Sequence, residues 1–184
     1  MFEYARCAHP KVIVDIGANI GMFSKLCSML FPPADIYAYE PNPAALEWLG
    51  QNAHATRIRV YPCAVGQTPG IVNLDTSCDS TIGRIVQGSG LPVECVAAAD
   101  LAEGRDIDLV KIDCEGSEWS ILKDLTLLRR TKACAMEYHL YDGHSFEDLE
   151  GLIRGAGHQI ASVGKQKENG KFGVIRSVRL EEAG

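Results

Sequence analysis

The stretch VIVDIGANIG, residues 12–21, decides the fold. It opens with an apolar run of strand length and closes in a loop whose glycines, Gly17 and Gly21, stand four apart. Beyond it, Phe23, Leu26, Cys27 and Leu30 recur at helical spacing until Pro32-Pro33 stops the pattern. A buried strand, a glycine turn and a helix open an α/β sheet, whose ligands bind beyond the carboxyl ends of the strands.

The same alternation runs down the chain. Residues 35–41 (DIYAYEP) read as a second strand, and Asn42-Pro43 as the cap and first turn of a helix carrying Leu46 and Trp48. Residues 57–66 read as a third strand and 108–113 as a fourth, followed by a helix with Trp119, Leu122 and Leu125 on one face. Residues 133–139 read as a fifth. Ser145 and Asp148 have capping-box spacing ahead of Leu149, Leu152, Ile153 and Ala156, and Gly157 ends that helix. Strands alternating with helices imply an α/β fold, a mostly parallel sheet with helices on both faces. Asn169-Gly170, between two strand-like runs, signals a C-terminal antiparallel hairpin, so the sheet should end in one reversed strand. Residues 67–92, rich in glycine and small polar residues, read as an irregular segment with one short strand at 71–74, the character of a lid or substrate loop. No linker divides residues 1–184, which read as a single domain.

Composition narrows the function classes. Of 184 residues, 46% are hydrophobic and 23% charged, the balance of a globular chain. No apolar run approaches the roughly 18 residues of a membrane span, and MFEYARCAHPK has no signal-peptide core. Seven scattered cysteines without a CxxC pair fit reduced thiols. A net charge of −6 argues against a nucleic-acid partner. The expectation is a cytoplasmic protein with neither a membrane nor a nucleic acid as partner.

Asp15 makes the glycine loop informative. The dinucleotide fingerprint G-x-G-x-x-G fails, because Asn19 stands where its middle glycine belongs. A carboxylate there would oppose a pyrophosphate and suit a cation. S-adenosylmethionine (SAM), with a sulfonium, an ammonium and no phosphate, fits that demand. Asp15 would attract it directly or through water, while Gly17 and Gly21 let the backbone pass close. Glu40, at the end of the second strand, can accept hydrogen bonds from ribose hydroxyls, a feature shared with dinucleotide folds. Cys63 and Ala64, at the end of the third strand, leave room for a flat adenine.

Taken in order, VDIGANIGMFSKL, YAYEPNPAALEWL, AVG, DTSCDSTI, DLVKIDCEGSEWSIL and MEYH resemble the FkbM family of SAM-dependent methyltransferases. The resemblance runs from Val12 to His139 and is carried most specifically by KIDCEGSE. It implies a Rossmann-like class I methyltransferase sheet and an O-methyltransferase (EC 2.1.1) acting on a hydroxyl of a sugar or other small molecule. It places Asp15, Gly17, Ala18, Asn19, Gly21, Glu40, Pro41, Asn42, Cys63, Ala64 and Asp113 around the cofactor. Only fourteen residues precede Asp15, so an N-terminal cover over the pocket should be short or absent.

The chemistry falls to the carboxyl ends of the fourth and fifth strands. Methyl transfer from sulfonium to oxygen rests on alignment, and a positioned base typically adds ~10²–10⁴-fold. His139, Glu115 and Asp113 are the candidate catalytic residues, His139 because an ordinary imidazole titrates near neutrality. Glu118 reads as a helix-dipole acid, and Lys111 as a local partner rather than a catalyst. A divalent metal held by Asp113, Glu137 and His139 is a lesser alternative. Ser77, Asp79, Ser80 and Thr81 should border the acceptor. The competing functions are an NAD-dependent oxidoreductase, disfavoured by Asn19 and Asp15, and a non-catalytic SAM-binding module.

Overall fold

The computed structural model describes residues 9–79, 82–140, 143–164 and 171–180, with 77–79 and 82 as backbone only. The opening strand, β1 (Val12–Ile16), is buried along its whole length. It lies centrally, parallel to β2 (Asp35–Tyr39) and to β8 (Ile107–Ile112), with Asp15 level with Ala38 and Lys111. β2 pairs with β3 (Ile58–Tyr61), and β8 with β9 (Thr131–His139), both in parallel. Two C-terminal strands, β10 (His158–Val163) and β11 (Phe172–Arg179), complete a seven-stranded sheet in the order β10-β11-β9-β8-β1-β2-β3. Only β11 is reversed, antiparallel to both β9 and β10. The reversed strand is therefore slotted inside the sheet, and β10 rather than β11 forms the edge. The Asn169-Gly170 turn lies outside the described residues.

Strand alternation sends side chains to two apolar layers. One gathers Val14, Ile16, Val110, Ile112, Met136 and Tyr138 against Leu149 and Ile153 of α5 (Phe146–Gly155). The other gathers Ile13, Ile36, Ala38 and Leu109 against α1 (Met22–Leu30) and α2 (Pro43–Ala53). Asn42 caps α2, its Oδ1 accepting the Ala44 N–H at 3.0 Å, with Pro43 at the first turn. Ser145 and Asp148 form the expected capping box on α5. Each cap contributes ~1 kcal/mol. On α1 the inward residues are Ser24 and Cys27, while Leu26 and Leu30 face outward. After β8 the chain forms two short helices, α3 (Glu118–Leu122) and α4 (Thr126–Arg129), instead of one. Among the described residues, no helix is long and apolar enough to cross a membrane.

The segment 67–92 departs from expectation. It is not an irregular loop but most of a second sheet, in which β4 (Ala64–Gly66), β7 (Leu91–Ala97), β5 (Gly70–Asp79) and β6 (Ile82–Val86) lie in that order. The third strand read from sequence is accordingly two, because the chain turns at Cys63, whose N–H bonds Tyr61 O at 2.9 Å, and leaves one sheet for the other. In β5 only Leu74 is buried among the residues whose side chains are described, so the apolar alternation that marks a strand is missing.

Candidate active site

The carboxyl ends of β1, β2 and β8 open into a cavity whose far wall is the second sheet. The loop after β1 turns on Gly17, in the left-handed region at φ 71°. A Cβ there would lie 1.8 Å from the main-chain oxygen of Asp113, so the two loops approach as closely as a glycine permits. Asn19 and Glu115, one in each loop, are also left-handed, at φ 50° and 52°. Such backbone costs of order 1–3 kcal/mol at a non-glycine residue and persists where its surroundings impose it.

Eight of the residues singled out in the sequence line this cavity: Gly17, Asn19, Glu40, Pro41, Cys63, Ala64, Asp113 and Glu115. Glu40 is the best anchored. Its two carboxylate oxygens accept the N–H groups of Asn19 and Asn42, each at 2.8 Å, tying the glycine loop to the end of β2. Burial nevertheless raises its pKa, against the pull of those two donors. Ala18, Gly21 and Asn42 stand behind the wall. Ala18 and Gly21 pack inward, with the Leu49 side chain filling the space a Cβ on Gly21 would need, and Asn42 caps α2.

Asp15 stands behind the cavity wall. It is fully buried and does not line the cavity. Its Oδ2 accepts the Ser24 hydroxyl at 2.7 Å and its Oδ1 stands 3.2 Å from Lys111 Nζ. The same ammonium lies 3.3 Å from Asp113 Oδ2 and donates to Gly17 O at 2.6 Å. Burial opposes the charge on Lys111, yet Asp15 and Asp113 hold its pKa above the ordinary value. Lys111 thus pairs locally, as expected. The cation Asp15 meets is this side chain, because the register of β1 on β8 sets the two level on one face.

His139 stands apart from the residues that line the cavity. It is buried off the cavity, its Nδ1 3.2 Å from Glu118 Oε1 and its Nε2 3.8 Å from Glu115 Oε2. The hydrogen bond to Glu118 raises its pKa, burial opposes this, and the charges of Glu118, Glu115 and Glu137 add to the rise. The His139 ring also stacks on Phe172, centroids 5.9 Å apart. Glu118, read as a helix-dipole acid, instead folds back under its own loop. It accepts the N–H of Gly116 at 3.1 Å while holding His139, and it is almost wholly buried.

Sequence reasoning missed the wall supplied by the second sheet, Leu74 of β5 with Gly83 and Ile85 of β6, and also Tyr39, Val65 and Ser117. Ser80 and Thr81, expected beside the acceptor, lie outside the described residues, and Ser77 and Asp79 are described as backbone only. Glu137 was weighed as a metal ligand alone. Among the described residues no three metal-ligating side chains come together.

Comparisons with known proteins give a family and a fold. The family model for the methyltransferase FkbM domain matches residues 15–160. A hexuronic acid methyltransferase of Haloferax volcanii, AglP, is 27% identical over 122 residues, which are 62% of this chain and 50% of that protein. The 31-O-demethyl-FK506 methyltransferase FkbM of Streptomyces tacrolimicus is 36% identical over 73 residues, 39% of this chain and 28% of its own. The chain thus spans about half the length, or less, of these two relatives. Among solved structures, magnesium protoporphyrin IX methyltransferase of Synechocystis, with bound SAM, superposes with a TM-score of 0.58. It covers 97% of this chain and 75% of its own at 12% identity, a likeness of fold.

Proposed function

The chain belongs to the methyltransferase FkbM domain family, and from that premise we propose that it is a SAM-dependent methyltransferase acting on a hydroxyl of a small molecule. The observation that carries the reading is the charge of the cavity wall. Glu40, Asp113 and Glu115 line it, while the one lysine or arginine among its described lining residues, Lys111, is already paired with Asp15 and Asp113. That wall has acceptors to offer a cation and no free cation for a pyrophosphate. The residues present therefore fit SAM, which when bound supplies an electrophilic methyl on a positively charged sulfur.

Within this proposal, Glu40 holds the ribose hydroxyls with the lone pairs its two backbone donors leave free. Cys63, Ala64 and Val65 flank the adenine, and Gly17, Asn19 and Asp113 face the methionine end. Pro41 borders the ribose, while Ala18, Gly21 and Asn42 keep the loops in place. Asp15 acts through Lys111, whose bonds to Gly17 O and Asp113 fix the positions of both loops. Glu115 orients the acceptor, with His139 and Glu118 positioning Glu115. The two sheets share the cavity as parts of one domain, and β5 and β6 contribute the acceptor side. The known acceptor of the Haloferax relative, a hexuronic acid, makes a hydroxylated sugar the first class to try.

The test is ligand-dependent stability. A ligand at about 100 times its Kd stabilises by ~2.7 kcal/mol. S-adenosylhomocysteine (SAH) should raise the melting temperature by several degrees, and NADH should leave it unchanged. Stabilisation by NADH without any by SAH overturns the reading in favour of an oxidoreductase.

A further inference from the structure

A second cavity, of about 250 Å³, opens on one face of the large sheet, lined by Lys111, Asp113, Ala135, Glu137, Val174 and Arg176 among others. Its size approaches the small end of ligand pockets, ~300 Å³. Lys111 and Asp113 line both this cavity and the first, so the two meet there. The strand ladders arrange the lining in two rows. Lys111, Ala135, Arg176 and Ser162 stand level across β8, β9, β11 and β10. Glu137 and Val174 form the next row on the same face. Asp113 follows Ile112, the partner of Met136, and so falls level with Glu137.

The two cations of the first row differ. Lys111 is engaged by Asp15, Asp113 and Gly17 O. Arg176, half-buried, forms no ion pair among the described residues. Its Nη1 donates to Ser162 Oγ at 3.3 Å, and its buried Nε finds no acceptor among them. A guanidinium carries a fixed charge and five N–H donors in a planar fork that matches a carboxylate. Leaving such a group partly desolvated and unmatched is costly, and an anion seated against it removes that cost. In the next row, Asp113 and Glu137 present oxygens that accept hydrogen bonds from hydroxyl groups. Those two acids also favour a singly charged carboxylate over a doubly charged phosphate beside them. β8 and β11 lie two strand spacings apart, about 10 Å, a span that one arginine side chain and one sugar ring cover together.

We propose that the methyl acceptor is a polyhydroxylated carboxylate, a sugar acid, and that Arg176 selects it by pairing with its carboxylate. The proposal rests on the methyltransferase reading and names the acceptor class of that site. Asp113 and Glu137 hold hydroxyl groups of the same molecule, which brings one of them to the place where the two cavities meet. A neutral sugar makes the hydroxyl contacts and leaves Arg176 unmatched.

The test titrates protein saturated with SAH with matched pairs of probes, D-glucuronate with D-glucose and D-galacturonate with D-galactose, and with D-glucose 6-phosphate. In at least one pair the acid should bind about tenfold more tightly than the neutral sugar, the order expected of one charge-assisted pair. It should also bind more tightly than the phosphate. Arg176→Met should lose the preference while binding SAH as the wild type does, which shows that it folds. Arg176→Lys, which keeps the charge and loses the fork, should keep part of the preference, and it serves as the readout if Arg176→Met does not fold. Equal affinities within both pairs in the wild type overturn the proposal, and so does binding of none of the probes. Tighter binding of the phosphate, or a preference for the acid undiminished in both variants, overturns it as well. If SAH itself does not bind, the methyltransferase reading falls, a result separate from all of these.

Discussion

At the scale of single residues, Asp15 carries the sharpest lesson. Read in sequence, it asks for a cationic ligand; in the structure, the cation is Lys111. Breaking a buried pair from one side leaves an uncompensated charge and costs roughly 3–5 kcal/mol. Asp15→Asn should therefore lower stability by an amount of that order, measured by urea denaturation. Replacing both partners, Asp15→Asn with Lys111→Met, should recover a large part of the loss, since neither charge is then stranded. If Asp15 instead contacts the cofactor directly, Asp15→Asn will weaken SAH binding while leaving the urea midpoint unchanged. Glu40 makes a contrast at the same scale. Its place on the cavity was legible because a strand-end acid has a simple geometric consequence. The partner of Asp15 was not legible, because it depends on the register of two strands almost a hundred residues apart.

At the scale of elements, β1, β2, β8 and β9, the caps of α2 and α5 and the C-terminal antiparallel pairing all followed from local pattern. Each is declared by its own residues: a continuous apolar run, Asn42 before Pro43, Ser145 three before Asp148. The second sheet was not legible. Its strands leave most of their described side chains outside the core, with Leu74 as the exception in β5. Pairing with neighbours, rather than an apolar face, defines them. Leu74 packs where a Cβ on Gly83 would meet its Cδ1 at 2.9 Å and also lines the cavity. Leu74→Ala should cost about 2–5 kcal/mol, the usual range for a buried leucine. The β10–β11 pair has its own internal polar anchor in His158. Its Nε2 faces Leu128 O at 2.8 Å and its Nδ1 faces Ser177 Oγ at 3.1 Å. Both contacts suit a neutral imidazole, and burial lowers its pKa.

At the scale of the whole molecule, these groups act together in the dependence of stability on pH. A group that binds protons more tightly when folded stabilises below its unfolded pKa and loses that contribution as pH rises through its folded one. Glu137, raised from 4.5 to about 7, is of this kind, and so is His139, raised from 6.5. His158 has the opposite sign: lowered from 6.5, its contribution is present above that value and lost as pH falls through the folded pKa. Asp35 and Asp108, both lowered from 3.8, withdraw theirs in stronger acid. Stability should thus decline on the alkaline side because of Glu137 and His139, and on the acid side because of His158, Asp35 and Asp108. Chemical denaturation from pH 4 to 9 checks the division. Glu137→Gln should flatten the fall between pH 4.5 and 7 and leave the acid limb unchanged. Removing His158 with a neutral hydrogen-bonding residue, His158→Gln, should flatten the limb just below pH 6.5 and leave the alkaline side as it was. A Glu137→Gln profile parallel to that of the wild type throughout would mean that the Glu137 carboxyl titrates alike in the folded and unfolded chain.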